Sequence, residues 1–523
     1  MAFAISLASL LAMASTAANA QGNADFYGQG SQASCVVSPA TFTGWLAGSG
    51  SDASFSVPDN AAFKPDSANP LCSFYQQMSH NFLWLVSPES GFPYVFLGSQ
   101  FYNVALDANF NPIFTPNEPS AAQGVMKRGM LKVRDAKPVQ MPNDAMGAAI
   151  NTGSADGINS TGQAGGGGAL LSQNAQLVYY SIHVNDVYRD LWLNQATVPY
   201  FQTLQNFPET IANVQEIAAA SGVPSYADGK ALILELKTSW VDVSAVPGGT
   251  QGDALTLTAE VPSFVEQACP AGMGTGNCLV WDGTTYLTKI LAMVGMHVVI
   301  PVPNHPELIW ATFEHVFNAP DNTYSFVGPG DLLLTNSYSA SDPASTFYAT
   351  GTAIADANIE RMQVNSKSDG KVISPDEGQT IGPSSVVRYQ PWGGIQPENP
   401  SVTDPTVINN TRLLSLNGTL LPQVLALNGG EPRSAYIQTG AVWTDGGQGN
   451  IPTAAPTTPP APGQPALIGS PVLANTTMET FHQATNPSNT QAGCFGCHFA
   501  NPAAQGQSVQ GVGVSHIFSV TTN

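Results

Sequence analysis

At 523 residues, with 43% of side chains hydrophobic, the chain can bury a sizeable core as two or three domains or as one large β-rich domain with insertions. Its net charge of −20, from 36 acidic and 16 basic side chains, repels phosphate backbones, and no Lys/Arg cluster offsets it, so nucleic acid is not an expected partner. Only 10% of residues are charged, so polar surface falls to Asn, Gln, Ser and Thr, while 50 Gly and 40 Pro call for many turns and short strands rather than long helices.

In chain order, residues 1–20 read as a secretory signal: an apolar run from Ala2 to Ala14, then Ala18-Asn19-Ala20 with cleavage expected before Gln21. The run lacks the usual preceding Lys or Arg. No later stretch reaches ~18 uninterrupted apolar residues, so no membrane span is expected and the mature protein is placed in the periplasm or outside the cell. Residues 21–168 look irregular, broken by turns at 47–54 and 106–114; the patch His80–Pro88 reads as a buried strand or short helix. The Gly-rich stretch 151–168 has no Gly-Lys-Ser/Thr continuation and reads as a connector, not a phosphate loop.

A β-rich region follows over 169–450. Leu177–Asn185 reads as a strand, rich in aromatic and β-branched residues. Pro208–Ser221 has helical apolar spacing, with Pro at its start and Gly222 behind it. Ala231–Val243 alternates over its second half, and the segments on either side of the Pro303–Glu307 turn read as a hairpin or paired long strands; Ala435–Thr444 is a further strand. The Pro/Ala/Thr-rich stretch 451–466 reads as an extended linker to a last segment, 467–523. The expected fold class is therefore mainly β with a few short helices, carrying a small C-terminal helical or irregular segment docked on it.

Six cysteines suit an oxidising compartment. Cys269 and Cys278 bracket a Gly-rich loop that a disulfide closes, and Cys35 with Cys72 make a second, long-range pair. That leaves Cys494 and Cys497 in "CFGCH", a pattern expected by chance only about 0.001 times at these Cys and His frequencies. In c-type haem attachment two such thiols add to the two vinyl groups, and the following His, here His498, reaches the iron as proximal ligand. The rivals are a plain CxxC disulfide, a zinc corner completed by His482 and His516, and a thioredoxin-like dithiol, which needs a preceding strand and a larger domain than the 26 residues after Cys497.

No Met follows His498, so the late methionine ligand of small cytochromes c is missing. His516 is the leading candidate for the iron's other face. Met478 and His482 rank below it, on a short helix that a Thr476/Glu479 capping box would start. Each also reads blandly, Met478 as packing and the two histidines as surface. His297 and His315 fall on the two strands of the predicted hairpin, with Glu314 and His315 on opposite faces; they read as a ligand or acid/base pair facing the haem segment, or more simply as separate structural histidines.

The blocks Met293–Asp321, Val472–Gln483 and Cys494–His498 resemble a family of exported bacterial proteins described as cytochrome c family proteins. The resemblance runs from about residue 70 to 520 and implies one covalent haem on Cys494 and Cys497, with His498 as ligand. It implies no reaction, and the long β-rich region departs from a small cytochrome c. Three functions follow as expectations: electron transfer to a periplasmic redox partner protein; a haem enzyme or sensor with an open iron face; or a secreted binding or structural protein with a structural haem or a CxxC disulfide.

Overall fold

The structure, a computed structural model, describes residues 31–47, 54–106, 111–117, 125–126, 168–247, 254–368, 370–427, 431–445, 451–457, 460–483, 493–500 and 511–518. Residues 1–20, read as a signal sequence, and most of the Gly-rich stretch 151–168 lie outside them.

The protein is mainly β-sheet, organised by one ten-stranded sheet. Its strands are β1 (Phe101–Leu106), β2 (Pro112–Pro116), β3 (Val125–Met126), β4 (Tyr179–Asn185), β5 (Glu235–Asp242), β6 (Thr256–Pro262), β7 (Tyr286–Val302), β8 (His305–His315), β9 (Tyr436–Thr444) and β10 (Leu467–Gly469). The spatial order is β10-β9-β8-β7-β5-β4-β1-β2, all antiparallel. The 17-residue β7 is its spine: β5 runs along one edge, and the other edge pairs with β6 through Tyr286–Ala292 and with β8 through Gly295–Val302. The expected β7–β8 hairpin forms. Val302 pairs with His305, and between them Pro303 followed by Asn304, at φ 68°, makes the pattern of a type II turn.

Two long helices cover one face of this sheet, and both are longer than the sequence reading allowed. Among the described residues the α-helices are α1 (Pro39–Trp45), α2 (Pro70–Leu85), α3 (Asp186–Asn194), α4 (Phe201–Leu204), α5 (Ile211–Ser221), α6 (Pro405–Leu425) and α7 (Cys494–Cys497). The patch read as a strand or short helix is the C-terminal half of the 16-residue α2. Phe82 of α2 stacks on Phe313 of β8 at 4.2 Å, and Phe74 on Trp443 of β9 at 4.4 Å. The 21-residue α6 starts where Asp404 accepts the Thr406 N–H, with Pro405 in the first turn. Its apolar count hides a helix because the buried face carries Asn: Asn417 donates to Gln438 O and accepts the Gln438 N–H on β9. The helix expected over Pro208–Ser221 forms as α5; it starts at Ile211, with Thr210 as its cap and not the proline, and is closed as expected by Gly222 at φ 70°.

Both expected disulfides, Cys35–Cys72 and Cys269–Cys278, are present. The Pro-rich stretch is not an extended linker. Thr444 of β9 pairs with Leu467 of β10, so the intervening residues form a loop between neighbouring strands, and Thr453 and Gln464 join across it at 2.7 and 3.0 Å. Among the described residues no helix is long and apolar enough to cross a membrane.

Candidate functional site

Alternation puts Val184 and Ile182 of β4, Glu235, Lys237 and Ser239 of β5, Val299, His297 and Gly295 of β7, and Trp310, Thr312 and Glu314 of β8 on the face opposite helix α2. The chain from Ser470 to Phe518 lies against this face, in its described parts.

Residues 475–483 seat themselves by polar contacts. Asn475 donates to Thr312 Oγ1 (2.8 Å) and accepts from both the Thr477 N–H (2.9 Å) and hydroxyl (2.7 Å). Gly295 makes room for it, since a Cβ there would lie 2.7 Å from Ser239 Oγ and 2.8 Å from the Asn475 amide. The Thr476 N–H donates to Glu314 Oε1 (3.0 Å) and its hydroxyl to Oε2; Arg388 pairs with Glu314 (2.8 Å) and with Asp321. The Thr477 hydroxyl meets Ser239 Oγ at 2.7 Å, and the Tyr180 hydroxyl donates to Thr477 O at 2.7 Å. Glu479 reaches back to the Asn475 N–H (2.8 Å) with one oxygen and to His297 Nε2 (3.0 Å) with the other. Burial alone would raise the Glu479 carboxyl; His297, Lys237 and the Asn475 N–H outweigh it and hold the pKa below its ordinary value.

The expected capping box therefore sits one residue earlier, and it starts a series of turns, not a helix. Asn475 takes the capping role: its side-chain oxygen accepts the Thr477 N–H while its nitrogen holds the sheet. Without a helix, Met478 and His482 share no helical face. Met478 is fully buried with Val178, Tyr180, Val294 and Phe347, which is the packing role.

Cys494–Cys497 form a single helical turn, α7, entered at Gly493, where a Cβ would collide with the Pro471 carbonyl. Phe495 is fully buried with its ring 6.0 Å from Trp310. The Cys494 and Cys497 thiols are unpaired, one half-buried and one buried. Burial and the Glu479 charge push Cys497 up to about 12 and Cys494 higher still, the opposite of the lowered pKa that activates an oxidoreductase dithiol.

His498 follows directly. Its Nδ1 lies 2.9 Å from the Val514 carbonyl, which can only accept, so Nδ1 carries the proton and Nε2 keeps its lone pair. Trp310 packs on the ring at 4.2 Å. Burial holds the imidazole well below its ordinary pKa and hence neutral, the form that binds a metal. His516 stands beside it, but its ring stacks on His498 at 4.0 Å, 16° from parallel, with Nε2 donating to Cys497 O at 3.2 Å. Two imidazoles on opposite sides of one iron have ring centres ~6 Å apart with the metal between them. Stacked rings do not present that arrangement. The zinc corner with His482 is not assembled either: among the described residues no group of three or more His, Cys, Asp or Glu is placed to hold a metal ion.

The hairpin histidines separate. His297 faces the C-terminal segment, whereas His315 lies on the helix side with its ring 5.3 Å from Tyr436. Trp310 and Lys237 were missed as site residues. The signal for Lys237 was its place one alternate position from Glu235 on strand β5, which puts the two charges on the same face.

Among protein families, curated proteins and solved structures, no match to this chain was found.

Proposed function

We propose that this is an exported protein with one haem held covalently by Cys494 and Cys497, with His498 as proximal ligand, and that it passes electrons to a redox partner protein outside the cytoplasm. The observation that carries the reading is His498: its Nδ1 is fixed on the Val514 carbonyl and its Nε2 is left for iron, directly behind two unpaired thiols one helical turn apart. A backbone carbonyl on the far nitrogen is the usual way a protein sets the tautomer of a metal-binding imidazole. The other four cysteines are already paired, in keeping with an oxidising compartment, and the resemblance to exported cytochrome c family proteins points the same way. When bound, haem supplies one-electron chemistry. The chain contributes the attachment thiols, a neutral oriented imidazole, and apolar cover from Trp310 and Phe495. In this reading the segment 467–523 stays seated on the sheet when haem is attached.

The mature chain, produced with a c-type maturation system, should keep haem stain on a denaturing gel at one haem per chain. The double change Cys494→Ala with Cys497→Ala should abolish it. Stain that survives the double change, or an unmodified mass for the unaltered chain, sinks the assignment; a mass two hydrogens lower would identify a CxxC disulfide instead.

A further inference from the structure

We infer that Ser515 is a positioning residue of the candidate site: its hydroxyl, held between Glu235 and Tyr188, fixes the Val514 carbonyl and through it the tautomer of His498. This rests on the haem reading above and deepens it by naming what orients the ligand.

A carbonyl can orient an imidazole only as well as it is itself held. His498 and Val514 stand 16 residues apart, so chain continuity does not set the bond between them. The His498 ring takes its place on the sheet from Trp310 of β8, packed at 4.2 Å. Val514 needs a reference to the same sheet, and the next residue supplies one. The Ser515 hydroxyl donates to Glu235 Oε2 at 2.7 Å, and Glu235 lies on β5 in register with Val184 of β4 and Val299 of β7. The Tyr188 hydroxyl meets Ser515 Oγ at 2.8 Å. Ser515 has one hydroxyl proton and gives it to Glu235, so Tyr188 is the donor of this second bond.

Ser515 and Tyr188 are fully buried, so a bond lost here would leave a polar group with no water to replace its partner. Ser515 also stands between two residues that touch His498: Val514 through its carbonyl and His516 through its stacked ring. A displacement of Ser515 therefore moves both. Other contacts of this stretch do a different job. The Gly511 N–H donates to Asn206 Oδ1 at 3.1 Å and the Val512 N–H to the Gln205 carbonyl at 3.3 Å, which ties the start of the turn to the loop after α4. Phe518 packs on Phe207 at 5.4 Å and on Tyr188 at 5.7 Å, an apolar contact without direction.

The tautomer is readable without haem. The mature chain, made without the c-type maturation system and labelled at its histidine nitrogens for NMR, should show His498 with its proton on Nδ1; a His498→Gln protein identifies the signals. Measurement at pH 8 keeps Glu235 charged, since burial pushes its carboxyl up to about 7. Ser515→Ala removes both bonds with little change of volume. It should move the tautomer ratio about fivefold towards the form protonated on Nε2, the worth of one hydrogen bond. Glu235→Gln keeps an acceptor oxygen for Ser515 and should keep the parent tautomer, whereas Glu235→Leu should behave as Ser515→Ala. A merely structural role would make Gln and Leu act alike. That contrast also decides the matter if Ser515→Ala does not fold, with near-UV circular dichroism reporting the fold of each variant. A Ser515→Ala protein that folds as the parent and keeps Nδ1 protonated overturns the inference, as does an unaltered chain protonated on Nε2. Absence of haem stain in the matured parent would instead bring down the haem reading and leave the tautomer results standing.

Discussion

Arg388 lies between two buried carboxylates, Glu314 and Asp321, and is itself 4% exposed. Glu314 also accepts the Thr476 N–H, so the charge cluster is one of the pins that seat the C-terminal segment. Arg388→Met would leave the two carboxylates facing each other without their cation, an arrangement that costs about 3–5 kcal/mol. Urea denaturation at pH 7 should show that loss; a change under about 1 kcal/mol would mean the cluster relaxes to solvent.

A second residue-scale prediction concerns pH. Burial, with the Asp186 and Glu89 charges, pushes Asp228 up to about 8. The folded state then keeps a proton that the unfolded chain has already lost. Its stabilisation is complete below the ordinary carboxylate pKa and fades as pH rises towards 8. Burial moves His183 down to about 3 and His80 to about 4, so their stabilisation is lost instead as pH falls below 6.5. The two effects oppose each other below 6.5, but above it only the carboxyl side acts. Stability should therefore fall from pH 6.5 to pH 8 by about 2 kcal/mol from Asp228 alone, and Asp228→Asn should flatten that slope. Denaturation midpoints at the two pH values decide it, and a flat profile in the unaltered protein would refute the Asp228 assignment.

At the scale of elements, legibility followed pattern. Strands β4, β5, β7, β8 and β9 announced themselves by β-branched and aromatic residues in runs, and α5 by its helical apolar spacing and closing glycine. Helices α2 and α6 did not, because each is buried on most of its circumference. "HNFLWL" has no polar stripe to set a period, and the Asn and Thr side chains of α6 read as loop composition although they bond to the sheet. The Pro-rich loop was misread for a related reason: composition reports stiffness, whereas Leu467 pairing with Thr444 is a long-range fact. In the candidate site, Cys494, Cys497 and His498 were readable from spacing alone. The Val514 carbonyl, Trp310 and the Asn475 cap were not, since each acts through a partner distant in sequence or through backbone geometry.

The disulfides give this scale its own test. Cys35–Cys72 closes a span of 37 residues and Cys269–Cys278 one of 9. Loop-closure entropy assigns about 4 kcal/mol to the first and about 3 kcal/mol to the second. The first also ties the chain ahead of α1 to the start of α2, which packs on the central sheet, whereas the second staples a peripheral four-stranded sheet. Replacing Cys35 and Cys72 with Ala should lower the thermal midpoint more than replacing Cys269 and Cys278. The reverse order would show that the smaller sheet contributes more to global stability than its position suggests.

For the molecule as a whole, the question is whether the C-terminal segment is an appended module or a layer of the fold. Its contacts are those of a layer. β10 extends the main sheet, Asn475 and Thr476 bond into β8, and Phe495, Val512, Val514 and Phe518 share one apolar cluster with Val184, Tyr188, Val299 and Trp310. Ser515 adds a hydroxyl bond to Glu235 at 2.7 Å. A chain ending at residue 450 would leave that apolar face and the Glu314–Arg388 cluster open to water, so it should accumulate as aggregate and not as a folded core. Cleavage of the intact protein inside the loop between β9 and β10 is a gentler cut, because it severs no ladder bond. The two fragments should co-elute in native gel filtration and part only in denaturant. If residues 467–523 instead come away cleanly and leave a folded remainder, the tail is an autonomous unit and the layered account fails.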